Sequence, residues 1–240
     1  MTSSQGNRDL ESCATCKFRD HSIFFGLNGE QIKRLDTVLH INAYPKGAIL
    51  CFEGDAPRGV HCLCSGKIKL TRSSGDGKTV IVKIASPGDI LGAESIISGN
   101  RHEVTAEALE PCQVKFLRRE EFLQLIKENG PACFRLAQKL SDELCKSYVQ
   151  IRDMGCKVST MARLTSLLLR LMSKYGESTS LGVRLNVKLR QEELAEMIGA
   201  SRETTSRLLT KLKKQGIMQT KGRSMIILDK RALENQLFPY

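Results

Sequence analysis

The stretch Leu189 to Leu212, LRQEELAEMIGASRETTSRLLTKL, limits the fold around it more than any other part of the chain. It holds two short helical periodicities: Gln191 to Ile198, with Leu194, Ala195 and Ile198 on one face, and Arg202 to Leu212, with Thr205, Leu208, Leu209 and Leu212 on one face. Between them stand Gly199, Ala200 and Ser201. Gly199 can take the positive φ that ends the first helix, and the Ser201 hydroxyl can cap the second. Two helices joined by so short a turn make a helix-turn-helix, whose second helix can enter a DNA major groove. The small Ala195 lets the two approach closely.

A helical hairpin inside an unrelated core has the same outline, so the polar face decides. On the first turns of the second helix, Ser201, Arg202, Glu203, Thr204, Ser206 and Arg207 crowd the side away from the apolar stripe, with Lys211 one turn on. An arginine can fork onto guanine O6 and N7, and a glutamate can accept from a base amino group. Charge points the same way. Of the net +11, +9 lies between Lys157 and Tyr240, where sixteen Lys and Arg face seven Asp and Glu. A basic segment that coincides with a helix-turn-helix implies a polyanionic partner, double-stranded DNA.

Upstream the pattern changes. From His40 to Leu117 short apolar runs (Ala48 to Phe52, Val60 to Leu63, Lys67 to Thr71, Val80 to Ala85, Glu103 to Ala108, Gln113 to Leu117) alternate with Gly, Pro and Asn/Asp turns such as Pro45-Lys46-Gly47, Gly75-Asp76-Gly77 and Pro87-Gly88-Asp89. Short strands with a turn about every ten residues read as a β-barrel or jelly roll, a shell suited to sensing a ligand. Before it lies a helix, Asn28 to Leu39, with Ile32, Leu35, Val38 and Leu39 inward. Residues 1–27 form a flexible segment carrying Cys13-x2-Cys16.

After a short helix, Arg119 to Glu128, a long helical run follows Pro131. Its Cys133, Ala137, Leu140, Leu144, Ser147, Ile151 and Met154 fall at alternating steps of four and three, the seam of a coiled coil between two copies of the chain. Gly155 and Cys156 break the run. Then come an apolar helix, Val158 to Tyr175, a strand at Leu185 to Leu189, the helix-turn-helix, and two strands flanking Lys221-Gly222-Arg223, a wing whose Lys221 and Arg223 can lie against phosphates. The fold is α+β: a jelly-roll sensor domain (28–128), a dimerisation helix (129–156) and a winged helix-turn-helix (157–240). No stretch reaches the roughly 20 apolar residues of a membrane span, and Met1 to Asp20 lacks a signal peptide's apolar core, so a cytoplasmic protein is expected. An odd nine cysteines in that compartment point to free, metal-bound or redox-active thiols.

This order of parts, together with Ser201-Arg202-Glu203-Thr204-Thr205-Ser206-Arg207, resembles the CRP/FNR family of bacterial transcription regulators over nearly the whole chain. The resemblance implies a cyclic-nucleotide-binding-like jelly roll, a homodimer on a palindromic site, contact with RNA polymerase and no enzymatic activity. In recognition helices of the family that read a TTGA half-site, Glu is followed by Ser and Arg three and four residues later. Glu203, Ser206 and Arg207 match, which implies a site like TTGA-N6-TCAA.

The resemblance also implies that the N-terminal domain responds to a signal, whether redox, oxygen or a small molecule. The cyclic-nucleotide branch holds the ribose with a Glu after Gly and the phosphate with an Arg-Ser pair; here Gly92-Ala93 and His102-Glu103 stand in those places, so cAMP is not expected. The iron-sulfur branch has C-x2-C-x5-C and a fourth Cys. Cys13 and Cys16 match the first pair, Ser22 stands third, and the fourth place falls at about Lys115, with Cys112 three residues before it. An iron-sulfur cluster or zinc on Cys13, Cys16 and Cys112, with Cys51 or His21 as substitutes, stands beside a Cys13-Cys16 dithiol switch and beside no role for these thiols. Cys62 and Cys64 read as small core residues. As alternatives there remain a cyclic-nucleotide-responsive regulator, a metal-binding jelly-roll sensor or enzyme, which needs more histidine ligands than His61 and His102, and a structural DNA-binding dimer without ligand control.

Overall fold

The period-two stretch folds as eight strands in two four-stranded antiparallel sheets. β1 (His40–Tyr44), β8 (Cys112–Arg118), β3 (Gly59–Ser65) and β6 (Ile90–Leu91) form one sheet in that order; β2 (Ile49–Cys51), β7 (Thr105–Ala108), β4 (Ile68–Ser73) and β5 (Thr79–Ala85) form the other. The computed structural model describes residues 13, 15, 16, 18–73, 75, 77–155, 159–222 and 224–237, and for 153–155 the helical backbone alone. Alternation sorts the side chains. Leu63, Ile68, Leu70, Ala106, Ala108, Cys112 and Val114 meet between the sheets, while Val60, Cys62 and Leu117 point to the outer face of the first sheet. Each expected strand is present within a residue or two; β1, β6 and the short α2 (Ala93–Ser98) had no separate signal.

The outer face of that sheet is covered by α1 (Gly29–Val38), α3 (Arg119–Glu128) and the start of α4 (Gly130–Gly155), which contribute Ile32, Leu35, Phe122, Ala132 and Leu136. Asn28 caps α1 reciprocally with Gln31: Asn28 Oδ1 accepts the Gln31 N–H at 2.9 Å and Gln31 Oε1 accepts the Asn28 N–H at 2.9 Å. The segment before α1, expected to be flexible, belongs to this core where it is described. Cys13, Ile23, Phe24 and Leu27 are all buried, because they supply apolar surface that the helices leave uncovered.

Contacts divide the chain into two units, 1–77 with 82–144 and 78–81 with 145–240. The second contains α5 (Thr160–Tyr175), β9 (Gly176–Thr179), β10 (Gly182–Leu185), α6 (Gln191–Ile198), α7 (Arg202–Lys214), β11 (Met218–Lys221), β12 (Ser224–Ile227) and α8 (Lys230–Glu234). Its strands pair in the order β11-β12-β10-β9. Ser159 caps α5 by accepting the Ala162 N–H at 3.1 Å, and α5 buries Leu164, Leu167, Leu168 and Leu171. The strand expected at Leu185 to Leu189 ends at Leu185. It is instead the second arm of a hairpin, and Val187 and Leu189 are buried from irregular backbone.

Candidate nucleic-acid interface

α6 and α7 are set by their termini. Gly199 ends α6 at φ 61°, a conformation that L side chains rarely adopt, and the Ala200 N–H then closes on the Ala195 carbonyl at 3.1 Å. Ser201 Oγ accepts the Thr204 N–H at 3.1 Å, which starts α7. The first turn is locked from within as well: Thr205 is fully buried and its hydroxyl donates to the Ser201 carbonyl at 3.0 Å. Thr205, Leu209 and Leu212 face inward, and Leu208 is only half-buried.

The opposite face is open. Ser201, Arg202, Glu203, Arg207 and Lys211 are exposed, and Thr204 and Ser206 are half-buried. Glu203, Ser206 and Arg207, at spacings of three and four, share one side of the helix. The Glu203 carboxyl is held below the usual carboxylate range, first by its own backbone N–H, then by the Ser201 hydroxyl and the neighbouring Arg202 and Arg207 charges. It therefore stays an acceptor. Arg207 Nη2 donates to Thr204 Oγ1 at 3.3 Å, leaving the rest of its fork of donors outward. Lys221 is exposed at the end of β11; Arg223 lies outside the described residues.

Along α4 the expected seam is open at five of its seven places. Ala137, Leu144 and Ile151 are exposed as a seam requires, as are Cys133 and Ser147. Leu140 instead packs against the core beneath α1 and α3, and the side chain of Met154 lies outside the described residues. Phe134 and Tyr148, 66% and 60% exposed, add apolar surface to the same open side. Phe134, Ala137, Ser141, Leu144, Tyr148 and Ile151 then step by three and four along the open side of the helix.

The structure separates Cys112 from Cys13 and Cys16. Cys112 and Lys115 lie three apart on β8 and so point to opposite faces; the Cys112 thiol donates to the Glu110 and Lys67 carbonyls at 3.1 and 3.3 Å, inside the jelly roll. Lys115 is the residue that reaches the N-terminal thiols, its Nζ donating to Cys13 Sγ at 3.4 Å. Cys62 and Cys64, not core filler alone, line the same cavity. Two thiols with Ser22 and an ammonium are not a cluster's ligand set, and among the described residues no three His, Cys, Asp or Glu side chains are arranged to hold a metal ion. Lys115 carried a signal that sequence reasoning passed over: it shares a strand face with Leu117 and so had to be buried.

Inside the jelly roll two histidines are buried. His61 lies beside Phe116 with ring centroids 5.0 Å apart. His102 sits against Gly92, where a Cβ would come within 3.1 Å of its Cε1. Burial, and then the neighbouring His102, pull the His61 pKa down to about 4.

A model of the cyclic nucleotide-binding domain matches residues 41–129, and one of the Crp-like helix-turn-helix domain matches 162–236. The chain is 27% identical over 206 residues to the anaerobic regulatory protein of Bacillus subtilis, covering 85% of this chain and 86% of that one. It is 26% identical over 211 residues to the CRP-like cAMP-activated global transcriptional regulator of Mycobacterium tuberculosis, 88% and 94% of the two chains. Among solved structures, FixK2 from Bradyrhizobium japonicum superposes with a TM-score of 0.74 at 22% identity, over 85% of this chain and 99% of that one. A CooA variant from Carboxydothermus hydrogenoformans gives 0.73 at 24%, over 89% and 94%; both likenesses concern the fold.

Proposed function

The chain belongs to the CRP/FNR family of DNA-binding transcription regulators, whose curated relatives here are regulators and not enzymes, and from that premise we propose that it binds a TTGA-N6-TCAA-like palindrome as a homodimer. The observation that carries this is the face of α7, where ionised Glu203, Ser206 and Arg207 stand together on a helix capped by Ser201. Glu203 accepts from base amino groups, Arg207 forks onto guanine, and Ser206 makes a smaller base contact. Lys211 and Lys221 approach phosphates and fix register without reading sequence. Selection of bound duplexes from a random pool tests this: recovery of the palindrome supports it, and recovery of no common sequence overturns it.

The open apolar side of α4 supports the homodimer. Leu144 and Ile151, 52% and 66% exposed, with Phe134 and Tyr148, would each bury their remaining open apolar surface, worth about 1–2 kcal/mol, against a second copy. No helix among the described residues is long and apolar enough to cross a membrane. Two recognition helices then act on one site, and RNA polymerase is the partner through which the bound dimer acts on transcription.

The signal enters through the N-terminal domain. What speaks against a cyclic nucleotide is that buried His102, backed on Gly92, and Glu103, paired with Arg72 at 2.9 Å, stand where a phosphate would need cationic and hydroxyl donors. Titration with cAMP should give no heat and no change in DNA affinity. What speaks against a cluster or zinc is the donor set around Cys13 and Cys16, and anaerobically purified protein should carry neither iron nor zinc. A redox signal is the one that the thiols beneath the N-terminal segment fit.

A further inference from the structure

Cys62 and Lys115 are directly paired across β3 and β8, and Cys64 follows two residues on along the same face. The N-terminal segment lays Cys13 and Cys16 over them, and the five side chains line one mainly apolar cavity of about 40 Å³. Within it lies a thiol–amine contact. Lys115 Nζ donates to Cys13 Sγ at 3.4 Å across 102 residues of sequence, and both residues are 5% exposed. The Cys13 N–H donates to Asp36 Oδ1 at 3.1 Å, so the backbone that carries the sulfur is anchored as well.

We propose that Cys13 and Lys115 form a redox modification site, at which one oxygen atom is inserted between Sγ and Nζ to give a covalent S–O–N bridge. Dioxygen is the oxidant. The S–H bond and two N–H bonds of the ammonium break, and an S–O and an O–N bond form. One atom of dioxygen stays in the bridge and the other leaves as water. Of the three hydrogens released, two go into that water and one is lost as a proton. Sulfur and nitrogen each give up two electrons, and dioxygen takes the four.

Three features of the site favour this over other thiol chemistry. The partners already touch, and the lysine stem is flexible enough to close the remaining gap. The cavity has room for roughly three water-sized molecules and an apolar lining, which suits dioxygen. The Asp36 carboxylate anchors the Cys13 backbone at 3.1 Å, which keeps the sulfur within reach of Nζ. The bridge would remove a buried ammonium and tie the N-terminal segment to β8. It rests on this contact alone and not on the DNA site.

The test is the intact mass of the full chain, purified without oxygen and then held in air-saturated buffer. The bridge predicts a gain of about 14 Da, one oxygen in and two hydrogens out, on the scale of reversible cysteine oxidation. The gain should be reversed by dithiothreitol, which separates it from a methyl group of nearly equal mass, and the wild-type digest should contain one species joining the Cys13 and Lys115 peptides. Cys13→Ser and Lys115→Arg should each abolish the gain, the arginine variant keeping the buried cation. No gain in air overturns the proposal, as does a gain that persists in either variant or a loss of about 2 Da, which marks a disulfide among the neighbouring thiols. Peptide mapping of the wild type decides the matter even if a variant fails to fold.

Discussion

Ser201 and Thr204 close the first turn of α7 on itself: the Ser201 hydroxyl accepts the Thr204 N–H and donates to the Thr204 hydroxyl, both at 3.1 Å. Arg207 then donates to the same Thr204 oxygen, so the cap that starts the helix also steadies a base-reading side chain one turn on.

Ser201→Ala should cost about 1 kcal/mol of stability, and Ser201→Gly only a few tenths, because glycine tolerates the cap conformation without the hydroxyl. For a domain of this size the alanine variant should melt roughly 4–8 °C lower. Calorimetry on the two variants checks it; equal losses would mean that the hydroxyl is not the cap.

Arg207→Ala and Lys221→Ala should differ in kind. The first should relax discrimination at one base pair by about 1–3 kcal/mol, while binding to unrelated DNA changes little. The second should weaken binding to all sequences alike and lower the salt slope by about one. Anisotropy titrations at several salt concentrations separate the two.

Leu144→Glu or Ile151→Glu should leave the monomer folded, since both side chains are exposed in the single chain. Each interface loses its side chain twice, about 2–4 kcal/mol per dimer for the surface still open, so dimer dissociation should rise roughly thirtyfold to a thousandfold. Sedimentation velocity reads this directly. An unchanged dimer would place the interface elsewhere.

How much was legible in the sequence follows from how local each signal is. Gly199, Ser201 and the apolar stripe of α7 sit within one short stretch, and the structure matches them. Ala137, Leu144 and Ile151 were legible as one column of the open face of α4. The second was not, because Leu140 and Phe134 are both apolar, and only the packing of α1 and α3 decides which of them is covered. The β9–β10 hairpin was hidden because Glu177, Ser178 and Thr179 carry no apolar alternation. The meeting of Cys13 with Lys115 depends on two elements 102 residues apart, and no periodicity encodes that.

His61 should make stability fall in acid. Its folded pKa of about 4 lies below the unfolded value of 6.5, so the unfolded chain binds more protons between them. The contribution is fully present above pH 6.5 and is lost progressively down to about pH 4, for a total on the order of 3 kcal/mol. His61→Phe, which fits beside Phe116 without a titrating group, should flatten that part of the stability–pH curve. An unchanged slope in urea melts between these pH values would show that His61 is not its source.

The most direct test of the central claim is competition binding of the purified chain to a duplex carrying TTGA-N6-TCAA against duplexes with one half-site scrambled, at fixed salt. A specific dimer reading both halves through Glu203, Ser206 and Arg207 predicts that scrambling one half-site lowers affinity by at least a hundredfold, with each mismatched base pair costing about 1–3 kcal/mol. Equal affinity for the intact and scrambled duplexes would contradict it, leaving α7 to bind phosphates without reading bases.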